Sequence, residues 1–291
     1  MIQFKGCGTA LVTPFCEDGR IDYDAYATLV KRQVSGGVDF LVPLATTGET
    51  PTLSAEERVS LLKLTRECAP SLPLLVGCGS NSVPGTLANM SVLEPCRDCV
   101  DAWLVVVPFY NKPTQEGQYQ YFKAIARASD KPVVIYNVPG RTGANMSART
   151  TLRLAREVPG ITGIKEASGR PEQIKEILEG APDGFSVLSG DDDLTLDIME
   201  MGAAGVISVA SNLKPRELSE MTAAALAGEW DKARAIEAPL KSLFKACFVE
   251  SNPIPAKAGL KLMGYCCDAM RLPLTAATED TVEAMRGALG L

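Results

Sequence analysis

The chain has 291 residues, of which 46% are hydrophobic and 22% charged, ordinary usage for a globular protein and unlike that of disordered or fibrous chains. Lys and Arg (29) against Asp and Glu (35) leave a formal net charge of −6, so neither nucleic acid nor an anionic membrane surface is an expected partner. Histidine is absent, which removes imidazole as base, acid or metal ligand and with it Ser-His-Asp and Cys-His hydrolysis.

Taken in chain order, short apolar runs rich in β-branched residues alternate with amphipathic segments. Strands are expected over 6–15, 38–44, 73–79 and 102–108, and again over 132–139, 161–168, 185–190 and 205–211. Most are continuously apolar rather than alternating, as strands covered on both faces of a parallel sheet must be. Between them lie helical patterns with start and stop signals. In TLSAEERVSLLKLTRECAP, Ser54 stands three residues before Glu57 as a capping box, Leu61, Leu62 and Leu64 form much of the apolar face, and Pro70 lies past the end. The segments 114–129, 147–160 and 214–228 read the same way. Eight such β-then-α units predict an α/β fold, a (β/α)8 TIM barrel over residues 1–228, rather than a doubly wound sheet. No GxGxxG follows any strand, so a dinucleotide site lacks its fingerprint. After Gly228 the alternation stops, and 229–291 reads as a C-terminal helical region. No apolar run approaches the ~20 residues of a membrane span. MIQFKGCGTALV lacks the layout of a signal peptide, and the nine cysteines are scattered through apolar segments. A cytoplasmic protein with reduced thiols is expected. The CxxC spacing of Cys96 and Cys99 has no second pair to complete a zinc site.

In a barrel of this kind the reactive groups sit at the strand C-termini and on the loops that follow. Lys165 stands inside ITGIKEAS, a segment otherwise built for burial. A buried lysine must be paired or neutral, and a neutral amine carries the lone pair that attacks a carbonyl. The alternatives are a lysine that reaches the rim or one that pairs with Glu166. Tyr136, on the preceding strand, is placed to move protons for such an amine, or is a core aromatic. Arg141, in a Gly-flanked loop, offers a fork for a carboxylate or is a solvated loop residue. Thr46 and Thr47 offer hydroxyls and loop amides, or are ordinary turn residues. Tyr110 is ambiguous on its own. Ser189-Gly190-Asp191 ends the seventh strand. Asp191, Asp192 and Asp193 are expected to favour a helix start rather than a metal.

GTALVTPF, TTGET, PFYNKPTQEG, YNVPGRTG, GIKEASG, LSGDD and GVISVASN occur in this order along the chain. Together they resemble the dihydrodipicolinate synthases within the N-acetylneuraminate lyase family of class I aldolases, over essentially all 291 residues. The resemblance implies a lyase of lysine (diaminopimelate) biosynthesis that condenses pyruvate with L-aspartate 4-semialdehyde to 4-hydroxy-tetrahydrodipicolinate, with no cofactor beyond a covalent lysine imine. In it Lys165 matches the imine-forming lysine and Tyr136 the general acid/base. Thr46 and Tyr110 match a proton relay. Thr47 matches a pyruvate-carboxylate contact, Ile207 and Gly190 substrate contacts, and Arg141 the residue that receives the carboxylate of the aldehyde. It further implies that Tyr110 reaches a neighbouring subunit's site, with a dimer as the minimal active unit and a homotetramer, a dimer of dimers, as the assembly. Within the family the alternative is a 2-keto-3-deoxy sugar-acid aldolase or a sialate-lyase-like enzyme. A short charged aldehyde needs a cation nearby, and GRTG supplies one. Lysine-inhibited members carry a histidine, a glutamate and a tyrosine at positions matching Ala55, Gly85 and Phe109 here, whereas Asn81 is kept. Weak or absent inhibition by L-lysine is therefore expected.

Overall fold

The structure is a computed structural model that describes residues 3–291. Eight parallel strands appear where the apolar runs lie: β1 Gly6–Ala10, β2 Phe40–Val42, β3 Leu75–Gly77, β4 Ala102–Val106, β5 Val133–Asn137, β6 Ile161–Glu166, β7 Ser186–Ser189 and β8 Gly205–Ser208. They pair in the order β2-β1-β8-β7-β6-β5-β4-β3. A parallel bridge between Leu41 and Leu74 brings the two ends together, so the sheet is a nearly closed TIM barrel. Several strands are shorter than the runs that announced them. The first stops at Ala10, yet Leu11–Phe15 remains buried as a loop. Its apolar character serves the core without strand pairing.

Side-chain parity divides the core in two. Ala10, Phe40, Val42, Leu75, Leu104, Val134, Tyr136, Leu188 and Ile207 point into the barrel and fill it. The opposite faces of the strands pack on the surrounding helices in a larger apolar layer. Each fully buried Leu or Phe in either layer contributes about 1.5–3 kcal/mol. The helices begin as the sequence indicates. Ser54 Oγ accepts from the Glu57 amide at 3.2 Å, and Glu57 Oε2 accepts from the Ser54 amide at 2.8 Å, the reciprocal capping box at the start of the Ala55–Cys68 helix. Thr114 and Ser147 cap Gln115–Ala128 and Ala148–Glu157 with the hydroxyl alone, accepting from the Gly117 and Thr150 amides.

Beyond Gly228 the chain forms helices Trp230–Glu237, Lys241–Ala246, Ile254–Leu262 and Glu279–Leu289, with no strand among the described residues of this stretch. They seat against the barrel through apolar contacts. Gly259 lies under Leu213 and Met285, where a Cβ would come within 2.8 and 2.6 Å of side-chain atoms. All nine cysteines are unpaired, and burial pushes the thiols of Cys7, Cys78 and Cys247 well up. No helix of the described residues is long and apolar enough to cross a membrane.

Candidate active site

The C-terminal ends of β5, β6 and β7 set side by side three of the residues singled out from the sequence, Tyr136, Lys165 and Gly190. Tyr136 on β5 is the register partner of Lys165 on β6, and Lys165 that of Leu188 on β7. Because side chains alternate along a strand, Lys165 shares the barrel-facing side with Tyr136 and Leu188, while Glu166 faces out. Lys165 is 5% exposed, and its amine lies 4.4 Å from the centre of the Tyr136 ring. Neither alternative reading of Lys165 describes this placement: it does not reach the rim, and Glu166 is turned away from it. The Glu166 carboxylate accepts from the Ser168 amide at 2.8 Å, from Asn137 Nδ2 at 3.0 and 3.1 Å, and from Gln173 Nε2 at 3.3 Å. Burial raises its pKa, and those donors oppose the rise. Among the described residues no carboxylate forms an ion pair with Lys165.

Gly190, the residue after β7, gives the Lys165 side chain its space. A Cβ there would stand 3.0 Å from Lys165 Cε and 2.5 Å from the Ala167 Cβ, so the absence of a side chain is a packing requirement. The next residue, Asp191, is half-buried; burial lifts its carboxyl to about 6, with the Lys165 charge the main opposing influence. Asp192 is fully buried and accepts from the backbone amides of Val209 and Ala210 at 3.0 and 2.9 Å. The acidic run therefore pins the loop after β8 and opens the short helical segment Asp192–Leu194. The described residues hold no cluster of metal-ligating side chains.

A cavity of about 540 Å³ opens beside Tyr136. Its wall includes Thr46, Tyr136 and Arg141, together with Val138 and Leu104 from the barrel. Arg141 lies on the single helical turn Pro139–Thr142, exposed, with Nη2 donating to the Asn252 carbonyl at 3.3 Å. Thr46 and Thr47 form the short helical turn after β2. Thr46 is exposed, and Thr47 is buried with its hydroxyl accepting from Asn252 Nδ2 at 2.9 Å. Ile207 on β8 is fully buried in the barrel interior with Tyr136 and Leu188.

Tyr110 stands apart. It is 88% exposed, has a positive φ of 72°, and does not line the cavity. A non-glycine residue adopts such a backbone only where its surroundings hold it there. No hydrogen bond joins the hydroxyls of Tyr136, Thr46 and Tyr110 among the described residues. Four contributors from the C-terminal region, and the partner of Glu49, were not visible in the sequence. Ser251 and Asn252, and then Pro273 and Leu274, bring the C-terminal region into the cavity wall. Glu49, directly after the threonine turn, forms a buried ion pair with Lys257 at 2.8 Å. The one available signal was the acidic residue in TTGET itself, which has no basic residue near it in sequence.

Comparison with known proteins identifies the family. The model of the dihydrodipicolinate synthetase family matches residues 3–290. A 4-hydroxy-tetrahydrodipicolinate synthase of Phocaeicola vulgatus is 49% identical over 295 residues, covering 99% of this chain and 98% of the relative. Its counterpart in Parabacteroides distasonis is 46% identical, with 99% and 97% covered. The crystal structure of dihydrodipicolinate synthase from Thermotoga maritima superposes with a TM-score of 0.95 at 42% identity, covering 99% of this chain and 98% of that one. A structure described as the first monomeric dihydrodipicolinate synthase variant gives a TM-score of 0.95 at 43% identity, with 99% and 96% covered. The chain therefore belongs to the dihydrodipicolinate synthetase family, lyases of the class I aldolase type that serve lysine biosynthesis.

Proposed function

We propose that the protein condenses pyruvate with L-aspartate 4-semialdehyde through an imine on Lys165. The observation that carries this reading is the buried Lys165 amine, without an ion-pair partner among the described residues, against the face of Tyr136 at the mouth of the barrel. Once deprotonated, the amine attacks the pyruvate ketone to give a carbinolamine, which loses water to form an iminium. The iminium withdraws electrons from the adjacent methyl group, one of its protons leaves, and the resulting enamine carbon attacks the aldehyde. The amino group of the new adduct then attacks the iminium carbon, closing the ring and releasing Lys165. Each step moves a proton, and Tyr136, whose ring centre lies 4.4 Å from the amine, serves as the acid/base. Thr46 on the same cavity wall and Tyr110 extend its relay. Thr47 holds the pyruvate carboxylate, with Ile207 and Gly190 contributing main-chain contacts. Arg141, at the exposed side of the cavity, receives the carboxylate of the aldehyde through charge-assisted hydrogen bonds. The scheme uses no cofactor other than the covalent imine, and it acts in the cytoplasm.

The exposure and held backbone of Tyr110 support its insertion into a neighbouring protomer's site, with a dimer as the active unit and a homotetramer, a dimer of dimers, as the assembly. Residues 1–228 carry the reacting groups, and 229–291 form part of the cavity wall. Feedback by L-lysine is weak or absent, because Ala55, Gly85 and Phe109 supply none of the charged or polar contacts that an amino acid needs. A coupled assay tests the substrate assignment. Condensation with L-aspartate 4-semialdehyde should exceed turnover of a 2-keto-3-deoxy sugar acid, and the reverse order would assign the site to a sugar-acid lyase.

A further inference from the structure

The turn that carries Thr46 and Thr47 is held in place from the far end of the chain. Glu49 follows the turn in a left-handed conformation, φ 53°, buried inside the protein. Its Oε1 accepts from Lys257 Nζ at 2.8 Å, and the two side chains are 1% and 0% exposed. The second oxygen accepts from the Arg271 amide at 3.3 Å. Lys257, on the Ile254–Leu262 helix, also donates to the Ala269 carbonyl at 2.6 Å and sits 4.3 Å from the centre of the Phe15 ring. Arg271 ties down the far end of the same loop, donating to the Thr52 carbonyl at 2.8 Å and pairing with Glu57 through both oxygens. From the barrel side, the Thr13 hydroxyl donates to the Gly48 carbonyl at 2.8 Å.

A buried ion pair is a poor source of net stability, because desolvation offsets most of its attraction. The C-terminal region already has apolar contacts that seat it on the barrel. What the pair adds is a fixed position for the one residue joining Gly48 to Thr50. We propose that Glu49 and Lys257 are positioning residues that hold the Thr46–Thr47 turn in its catalytic geometry, so that the C-terminal region acts on the reaction through the turn. This inference rests on the roles given above to Thr46 and Lys165.

The test compares the full-length protein with Lys257→Met and with the doubly neutral Glu49→Gln/Lys257→Met. Three quantities are read: the thermal midpoint, the borohydride-trapped pyruvate adduct on Lys165, and steady-state condensation kinetics. Lys257→Met leaves a lone charge in a dry site and lowers the thermal midpoint, and the double variant recovers most of that loss. In both, kcat should fall about a hundredfold, the effect of a misplaced catalytic group. The adduct should still form at saturating pyruvate, since β6 is braced separately through Glu166. If kcat recovers together with the thermal midpoint in the double variant, the pair only seats the C-terminal region and the proposal is overturned. A folded Lys257→Met protein with kcat within about twofold of wild type overturns it as well. Should Lys257→Met fail to fold, the double variant decides by the same kcat criterion. A wild type that forms no adduct refutes the Lys165 mechanism and this inference with it, a result distinct from either variant outcome.

Discussion

Replacing Gly190 by alanine would put a methyl group where the barrel has no room for one. The added carbon would lie 2.5 Å from the Ala167 Cβ and 3.0 Å from Lys165 Cε, whereas ordinary contact begins near 3.4 Å. The backbone of two neighbouring strands limits what can give way on the Ala167 side, so the flexible lysine stem is the part that yields. Overpacking of this kind costs roughly 1–3 kcal/mol of stability. An amine moved by a substantial fraction of an ångström loses up to about a hundredfold in rate, or roughly 2.7 kcal/mol of transition-state stabilisation. The expected outcome is a fall in kcat/KM for pyruvate of between about tenfold and a hundredfold in a coupled assay. Thermal unfolding should show a lower midpoint, and hydride trapping on Lys165 should be slower. Wild-type kinetics from Gly190→Ala would show instead that the Lys165 amine tolerates displacement.

Other perturbations separate the parts of the site. Arg141→Ala removes a charge-assisted contact worth about 1.5–3 kcal/mol, so kcat/KM for the aldehyde should drop by at least about tenfold. Pyruvate trapping should be unaffected, and loss of trapping would show that Arg141 serves pyruvate instead. Asp191 makes a pH prediction for stability. Its carboxyl is raised from 3.8 to about 6 on folding, so the folded state holds the proton that the unfolded state releases between those values. Stability therefore declines as pH rises from about 4 to 6 and levels off above, by at most about 3 kcal/mol for this group. In Asp191→Asn that decline should flatten in denaturant titrations, and an unchanged slope would place the titration elsewhere. Millimolar L-lysine should leave the steady-state rate unchanged, and micromolar inhibition would mean that an effector site survives without the three altered side chains.

The strands were legible because a parallel barrel buries both strand faces, and burial writes itself into the sequence as uninterrupted apolar runs. The Ser54–Glu57 capping box was legible because it is local. Lys165 and Tyr136 came together as expected, because neighbouring strands of a barrel place equal heights side by side. Longer-range partnerships left no such mark. Lys257 is 208 residues from Glu49, and nothing in IPAKAGLKLMG distinguishes the buried lysine from the more exposed Lys261 four residues on. Ser251 and Asn252 reached the cavity through the packing of a region whose helical period showed only that it was helical. Asp192 resembled a residue opening a helix. It does open the segment Asp192–Leu194, but its carboxylate also fastens the Val209 and Ala210 amides, a partner set by strand order rather than by spacing. Backbone strain at Tyr110 is likewise invisible to residue type, since a tyrosine does not ordinarily choose positive φ.

The mechanism turns on the Lys165 nitrogen, and peptide mapping after reduction locates the reacting amine. Protein incubated with pyruvate and quenched with borohydride should carry a single stable adduct, located by mass spectrometry on the peptide containing Lys165, and Lys165→Ala should carry none. An adduct on any other amine, with Lys165 unmodified, would contradict the account.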